Sequence, residues 1–217
     1  LYMNVGILGS GGREHAICFC IKKSKNVKNI YCLPGNAGTS AIAENIQINI
    51  SDFNAIKKFT EEKKIDLLIV GPEKPLVDGI VDFFLDTKVK IFGPNQAASQ
   101  LEGSKIFTKK LCEKYNIPTA NFGIFQNPNE SKIFLKKTNY PIVIKADGLA
   151  SGKGVYICEN KKDALIAIDE IFAGKFGEAK NVLIEEFLTG EEMSFFIVTD
   201  GKDIKLFNTA QDHKRVL

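Results

Sequence analysis

From Met3 onward, short apolar runs alternate with stretches whose apolar residues recur every third or fourth position, the pattern of strands joined by crossover helices. Residues 5–8 predict a first strand, 14–22 the helix after it, and 30–33 a second strand. Residues 52–64 predict a helix with Phe53, Ile56 and Phe59 on one face, and residues 66–70 a strand whose apolar run suits burial on both sides of a sheet. A helix over 77–86 and a strand over 89–92 complete this unit, and Gly93-Pro94 stops it.

Beyond residue 94 the pattern changes. A helix over 104–115 is entered through Gly103-Ser104, with Ser104 as N-cap, and Pro118 ends the linker. Strands near 122–125, 142–145, 155–158 and 182–186 then alternate with helices near 130–137 and 163–173, which describes a small α+β module. After Gly190 two more strands, 193–199 and 204–209, flank a turn at Asp200-Gly201. The expected fold class is α/β: a parallel-sheet, Rossmann-like domain over 1–102, a linker helix over 103–119, an α+β subdomain over 120–190, and the start of a larger subdomain over 191–217.

Composition narrows the function classes. With 44% apolar and 25% charged residues, the chain is ordinary for a soluble protein. It holds no run near the roughly 18 apolar residues of a membrane span and no leader pattern, so a cytoplasmic protein with no membrane association is expected. The net charge of +3 is spread over lysines on helix polar faces, including Lys22, Lys23, Lys57 and Lys58, which predicts no nucleic-acid partner. Five cysteines without a Cys-x-x-Cys pair read as reduced thiols, and two distant histidines give a zinc site little support.

The chemistry concentrates in glycine-rich loops. Pro141-Ile-Val-Ile-Lys145-Ala-Asp-Gly148-Leu-Ala-Ser151-Gly152-Lys153-Gly154-Val155 reads as a strand ending in a lysine, a flexible loop and a second strand. Backbone N–H groups in such a loop approach phosphate oxygens with no Cβ in the way, while the lysine supplies charge, which points to a nucleoside triphosphate. It is not a P-loop: the glycine spacing is one residue short, Gly154 stands where Ser or Thr belongs, and a strand follows instead of a helix. The hairpin resembles that of ATP-grasp enzymes; a glycine-rich surface hairpin with solvated lysines is the competing reading.

At the first strand's end, Gly9-Ser10-Gly11-Gly12-Arg13-Glu14 departs from the dinucleotide fingerprint, because Glu14 replaces the third glycine and no acid follows the second strand. The loop suits an anion such as a sugar phosphate, helped by Arg13; a tight packing turn is the alternative. The loops at 34–38 and 71–76 are expected to converge with it at the carboxyl ends of the strands, with Glu73 the residue of interest. The cluster Glu185-Glu186-Phe187-Leu188…Glu191-Glu192 suits an adenine amine or ribose hydroxyls, or else a solvated acidic turn. Asp212-His213-Lys214-Arg215 suits an anionic substrate, or a mobile surface loop.

These segments together resemble the glycinamide ribonucleotide synthetase (phosphoribosylamine-glycine ligase) family of ATP-grasp enzymes. Gly9-Ser-Gly-Gly-Arg-Glu-His15, Pro34-Gly-Asn-Ala-Gly38, Gln100-Leu-Glu-Gly-Ser-Lys105, the Lys145 hairpin, Ile184-Glu-Glu-Phe-Leu188 and Gln211-Asp-His-Lys-Arg215 carry the resemblance, which runs from Met3 to Val216. It implies a pre-ATP-grasp domain followed by a truncated ATP-grasp domain, ATP with Mg2+ or Mn2+ as cofactors, and glycine and 5-phosphoribosylamine as substrates. Glycine's carboxylate would attack the γ-phosphate to give glycyl phosphate, from which the amine of phosphoribosylamine displaces phosphate. Lys145 and Arg215 would be catalytic. Lys105, Lys145, Gly148, Ser151, Gly152, Lys153, Gly154, Glu185, Glu186, Phe187, Leu188 and Glu192 would bind ATP, and Gly11, Gly12, Arg13, Glu14, Asn36, Glu73, Asp212 and Lys214 the substrates. The resemblance further implies a monomer or weak homo-oligomer, metal ligands beyond residue 217, and no turnover by these 217 residues alone. Another ATP-grasp carboxylate-amine ligase and a non-catalytic nucleotide-binding fragment are the alternative functions.

Overall fold

The computed structural model describes residues 2–149, 154–177 and 181–213. In chain order its elements are β1 (Met3–Gly9), α1 (Gly12–Ile21), β2 (Val27–Pro34), β3 (Glu44–Asn45), α2 (Phe53–Glu62), β4 (Leu67–Val70), α3 (Glu73–Val77), α4 (Ile80–Phe83) and β5 (Lys90–Phe92). Then follow α5 (Gln96–Gly103), α6 (Lys105–Tyr115), β6 (Phe122–Phe125), α7 (Pro128–Phe134), β7 (Ile142–Ala146), β8 (Val155–Cys158), α8 (Lys161–Phe172), β9 (Val182–Glu186), β10 (Met193–Thr199) and β11 (Ile204–Gln211).

The first five strands form a parallel sheet in the order β3-β2-β1-β4-β5. Alternation along β1 and β2 sends Val5, Ile7, Ile30 and Cys32 to one face against Cys18 of α1. Leu8, Tyr31 and Leu33 go to the other face, against Ile56 and Phe59 of α2 and Ile80, Val81 and Phe84. Both faces are thus covered, as the continuous apolar runs require. The direction of strand succession reverses between β1 and β4, which opens a crevice beyond their carboxyl ends.

The expected single helix over 77–86 is instead two short ones, because Gly79 takes φ +90° and ends α3. Helix α5, absent from the sequence reading, is set by Asn95, whose side chain accepts from Ala98 N. Ser104 caps α6 as expected, accepting from Phe107 N, while Asp52, Asn127 and Asn160 cap α2, α7 and α8 in the same way.

A second sheet, antiparallel in the order β6-β9-β7-β8, packs one face on α7 and α8 through Ile142, Ile144, Val182, Ile184, Ala167, Ile168 and Ile171. Its opposite face carries Val143, Lys145, Leu183 and Glu185, and that face meets the cleft described below. Among the described residues, strands β10 and β11 pair only with each other and expose Met193, Phe195, Phe196, Ile204, Leu206 and Phe207.

Candidate active site

In β7 the core takes Ile142, Ile144 and Ala146, so Val143 and Lys145 project from the other face. Glu185 of β9 stands opposite Val143, which makes Lys145 and Glu185 diagonal neighbours within reach of long side chains. Lys145 Nζ is 2.6 Å from Glu185 Oε2. Helix α6 approaches from the other side with Lys105 and, one turn on, Lys109. Lys109 Nζ lies 3.1 Å from Glu185 Oε1, an ion pair by distance in which Oε1 accepts no hydrogen bond. Lys109 donates instead to Thr119 Oγ1 at 2.7 Å and Ala120 O at 3.3 Å. Glu185 is buried and therefore held between two ammonium groups.

Lys105 Nζ donates to Gly148 O at 2.8 Å. Burial pulls its ammonium below the ordinary lysine range, an effect that Asp147 opposes and Lys145 reinforces. Asp147, the residue after β7, accepts from Ser104 Oγ at 3.1 Å and from Ile106 N at 3.2 Å. The carboxylate sits where a helix N-terminus favours negative charge, so the start of the glycine loop is pinned to the start of α6. Lys105, Lys109, Lys145, Gly148 and Glu185 line a cleft of about 900 Å³ with Pro72, Glu73, Lys74, Glu102 and Gly154, within the general size range of small-molecule sites. Four lysines face three glutamates there, an excess of positive charge suited to a polyphosphate.

The loops at the carboxyl ends of β1, β2 and β4 build a second, adjoining group. Glu14 occupies the third position of α1, and its Oε2 accepts from Gly11 N at 2.6 Å. This is one half of a capping box, since Gly11 has no side chain to return the bond. Glycines surround that carboxylate: a Cβ at Gly9 would lie 2.7 Å from Glu14 Cγ, one at Gly11 2.9 Å from Oε2, and one at Gly71 on Oε1. Asn36 Nδ2 donates to Ser10 O at 2.9 Å and Gly11 O at 3.1 Å, while its Oδ1 accepts from Gly38 N and Thr39 N. Arg13 Nη2 donates to Glu73 Oε1 at 2.9 Å, and that bond holds the Glu73 carboxyl below its usual range. Gly9, Ser10, Gly11, Glu14, Asn49 and Pro72 border a cavity of about 350 Å³ here.

This packing makes a sharp contrast between neighbouring glycines. Gly71→Ala is expected to cost about 1–3 kcal/mol, because the new methyl overpacks Glu14. Gly12→Ala meets nothing within 4 Å at the start of α1 and is expected to be neutral or stabilising by about 0.5–1 kcal/mol. Thermal unfolding of both variants decides, and equal midpoints would overturn the packing account.

The structure therefore brings Lys105, Lys145, Gly148, Gly154, Glu185 and Glu73 to one cleft, and Gly11, Gly12, Arg13, Glu14 and Asn36 to the loops beside it. The Glu185 carboxylate lies between the ammonium groups of Lys109 and Lys145. Glu186 points the opposite way along β9 and accepts from Asn121 N at 3.1 Å and Nδ2 at 2.9 Å. Phe187 is half-buried and Leu188 exposed, while the Glu192 carbonyl accepts from Asp212 N at 3.1 Å. Among the described residues lining the cleft, none of Glu186, Phe187, Leu188, Glu192 and Asp212 is present. Ser151, Gly152, Lys153, Lys214 and Arg215 lie outside the described residues. Lys109 escaped the sequence reading, although its position four residues after Lys105 was a usable signal.

Comparison with known proteins bears on this arrangement. Residues 3–102 match the family model described as phosphoribosylglycinamide synthetase, N domain, and residues 103–217 match phosphoribosylglycinamide synthetase, ATP-grasp (A) domain. The phosphoribosylamine–glycine ligase of Mesorhizobium japonicum is 52% identical over 215 residues, covering 99% of this chain and 51% of the relative. That of Clostridium acetobutylicum is 46% identical over 219 residues, covering 99% and 52%. The crystal structure of phosphoribosylamine–glycine ligase from Thermotoga maritima superposes with a TM-score of 0.78 at 32% identity, over 98% of this chain and 51% of that one. An N5-carboxyaminoimidazole ribonucleotide synthetase solved as its ADP complex shares the fold with a TM-score of 0.75 at 20% identity. The chain spans about half the length of the curated relatives it matches. With residues 3–102 and 103–217 matched in order by the two models, the chain belongs to the phosphoribosylglycinamide synthetase family.

Proposed function

We propose that this chain forms the nucleotide-receiving part of a cytoplasmic ligase that joins glycine to 5-phosphoribosylamine at the expense of ATP, giving glycinamide ribonucleotide, ADP and phosphate. The observation that carries the reading is the lysine-rich cleft between α6 and the Lys145 hairpin, in a chain whose relatives are named as this ligase. Lys105 and Lys145 would contact the ATP phosphates, Gly148 to Gly154 would cover them, and Phe187, Leu188 and Glu192 would frame adenosine. Arg13, with Asn36 organising its loop, would receive the phosphate of phosphoribosylamine, and Glu73 would then be freed toward an amine. In that reading residues 1–102 serve as the pre-ATP-grasp domain, 103–119 as a linker, 120–190 as the small ATP-grasp subdomain and 191–217 as the start of the large one.

A carboxylate is a poor acyl donor to an amine at neutral pH, so glycine must be activated by phosphorylation. The protein's part is to position the two carboxylate and phosphate partners and to neutralise charge on the transferring group. Magnesium or manganese would add to that neutralisation when bound. Among the described residues no three His, Cys, Asp or Glu side chains come together as a metal site, so no residue here is assigned to the ion.

The test is ADP formation by the full-length enzyme. Glycine and phosphoribosylamine together are expected to stimulate it, while bicarbonate or formate in place of glycine should not. Stimulation by another carboxylate, with glycine inert, would assign a different ligase of the same fold.

A further inference from the structure

Lys109 has a side chain only 11% exposed, and a buried ammonium is tolerated only where its protons meet acceptors. Thr119 Oγ1 and Ala120 O accept from it, the Glu185 carboxylate lies at ion-pair distance, and the Phe122 ring is 5.4 Å from Nζ. Glu185 in turn lies between Lys109 and Lys145. Two cations share one carboxylate, so the group as a whole keeps a positive charge on the wall of the cleft. With Lys145 alone, Glu185 would form a neutral pair. Paired with Lys145 alone, the carboxylate would hold that ammonium in competition with incoming phosphates.

We propose that Lys109 is a positioning residue for nucleotide binding: through Glu185 it fixes Lys145 Nζ and leaves the cleft one positive charge in excess for a polyphosphate. The role rests on the ATP-binding reading above. A lysine needed only to pack α6 against β6 would act through its bonds to Thr119 and Ala120, and its loss would not depend on what stands at position 185.

The experiment is ATP titration of the full-length enzyme, with KM for ATP and for glycine measured separately. Lys109→Met is expected to weaken ATP binding roughly tenfold or more, raising KM for ATP and leaving KM for glycine in place. Adding Glu185→Gln, which removes the carboxylate that Lys109 compensated, is expected to bring ATP affinity back to within about threefold of the unaltered enzyme. A folded Lys109→Met enzyme that binds ATP normally overturns the role, as does a folded double variant weaker than Lys109→Met. Should Lys109→Met not fold, the double variant carries the test, and its failure to bind ATP while folded overturns the role. If the unaltered enzyme takes no ATP, the ATP-binding reading falls and this role with it; if it does, and Lys109→Met binds equally, only the role of Lys109 falls.

Discussion

Lys145→Met in the full-length enzyme is expected to weaken ATP binding by about 100-fold or more, with the fold intact. The change removes the lysine that strand β7 brings to the cleft, and it leaves Glu185 to pair with Lys109 as a neutral unit. The cleft thereby loses both a direct phosphate contact and its excess charge. Because Glu185 keeps a partner, little stability is lost with it. Titration calorimetry against ATP, alongside thermal unfolding without nucleotide, separates the two effects. Unchanged ATP affinity would remove Lys145 from the site.

Glu185→Ala is expected to act in the opposite way, on the fold first. It strips two lysines, with side chains 27% and 11% exposed, of the carboxylate between them. Removing one partner of a buried charge cluster costs roughly 3–5 kcal/mol, which for a chain of this size lowers Tm by about 10 °C. Glu186→Ala, one residue on, is the control. Its carboxylate is exposed and, among the described residues, bonds Asn121, so its loss is expected to leave the unfolding midpoint nearly unchanged. Two adjacent glutamates with similar unfolding costs would refute the account of the buried cluster.

The sheets were legible in the sequence because each strand announces itself locally. Residues 67–70 are apolar throughout, with Leu68 and Val70 buried and Leu67 and Ile69 partly buried on the other face, while 142–146 bury only Ile142, Ile144 and Ala146. Ser104 signalled its helix through a side chain that bonds a backbone N–H three residues away. Lys145 was legible as a strand-end lysine before glycines. What the sequence hid depends on contacts between distant segments. Lys109 looks like any lysine on a helix until β6 and β9 fold beneath it. Glu185 and Glu186 are the same residue type in succession, and only the position of β9 in its sheet decides which is buried. Glu14 reads as a lost glycine of a nucleotide fingerprint, yet it is the acid that three glycines on two loops close around. The helical stretch after Val77 read as continuous because Gly79 is one residue among apolar neighbours, and its positive φ breaks it.

The order β6-β9-β7-β8 also sets a timetable. β7 and β8 are neighbours in sequence and pair as a hairpin, but β6 has no sheet neighbour until β9 inserts beside it. During synthesis at about 5–20 residues per second, the stretch between Phe125 and Val182 leaves β6 waiting for several seconds with an open edge. The strand that closes the edge is the one that carries Glu185. Until it arrives, Lys109 and Lys145 lack the Glu185 carboxylate that lies between them, so completing the sheet and assembling the charged wall of the cleft are a single event.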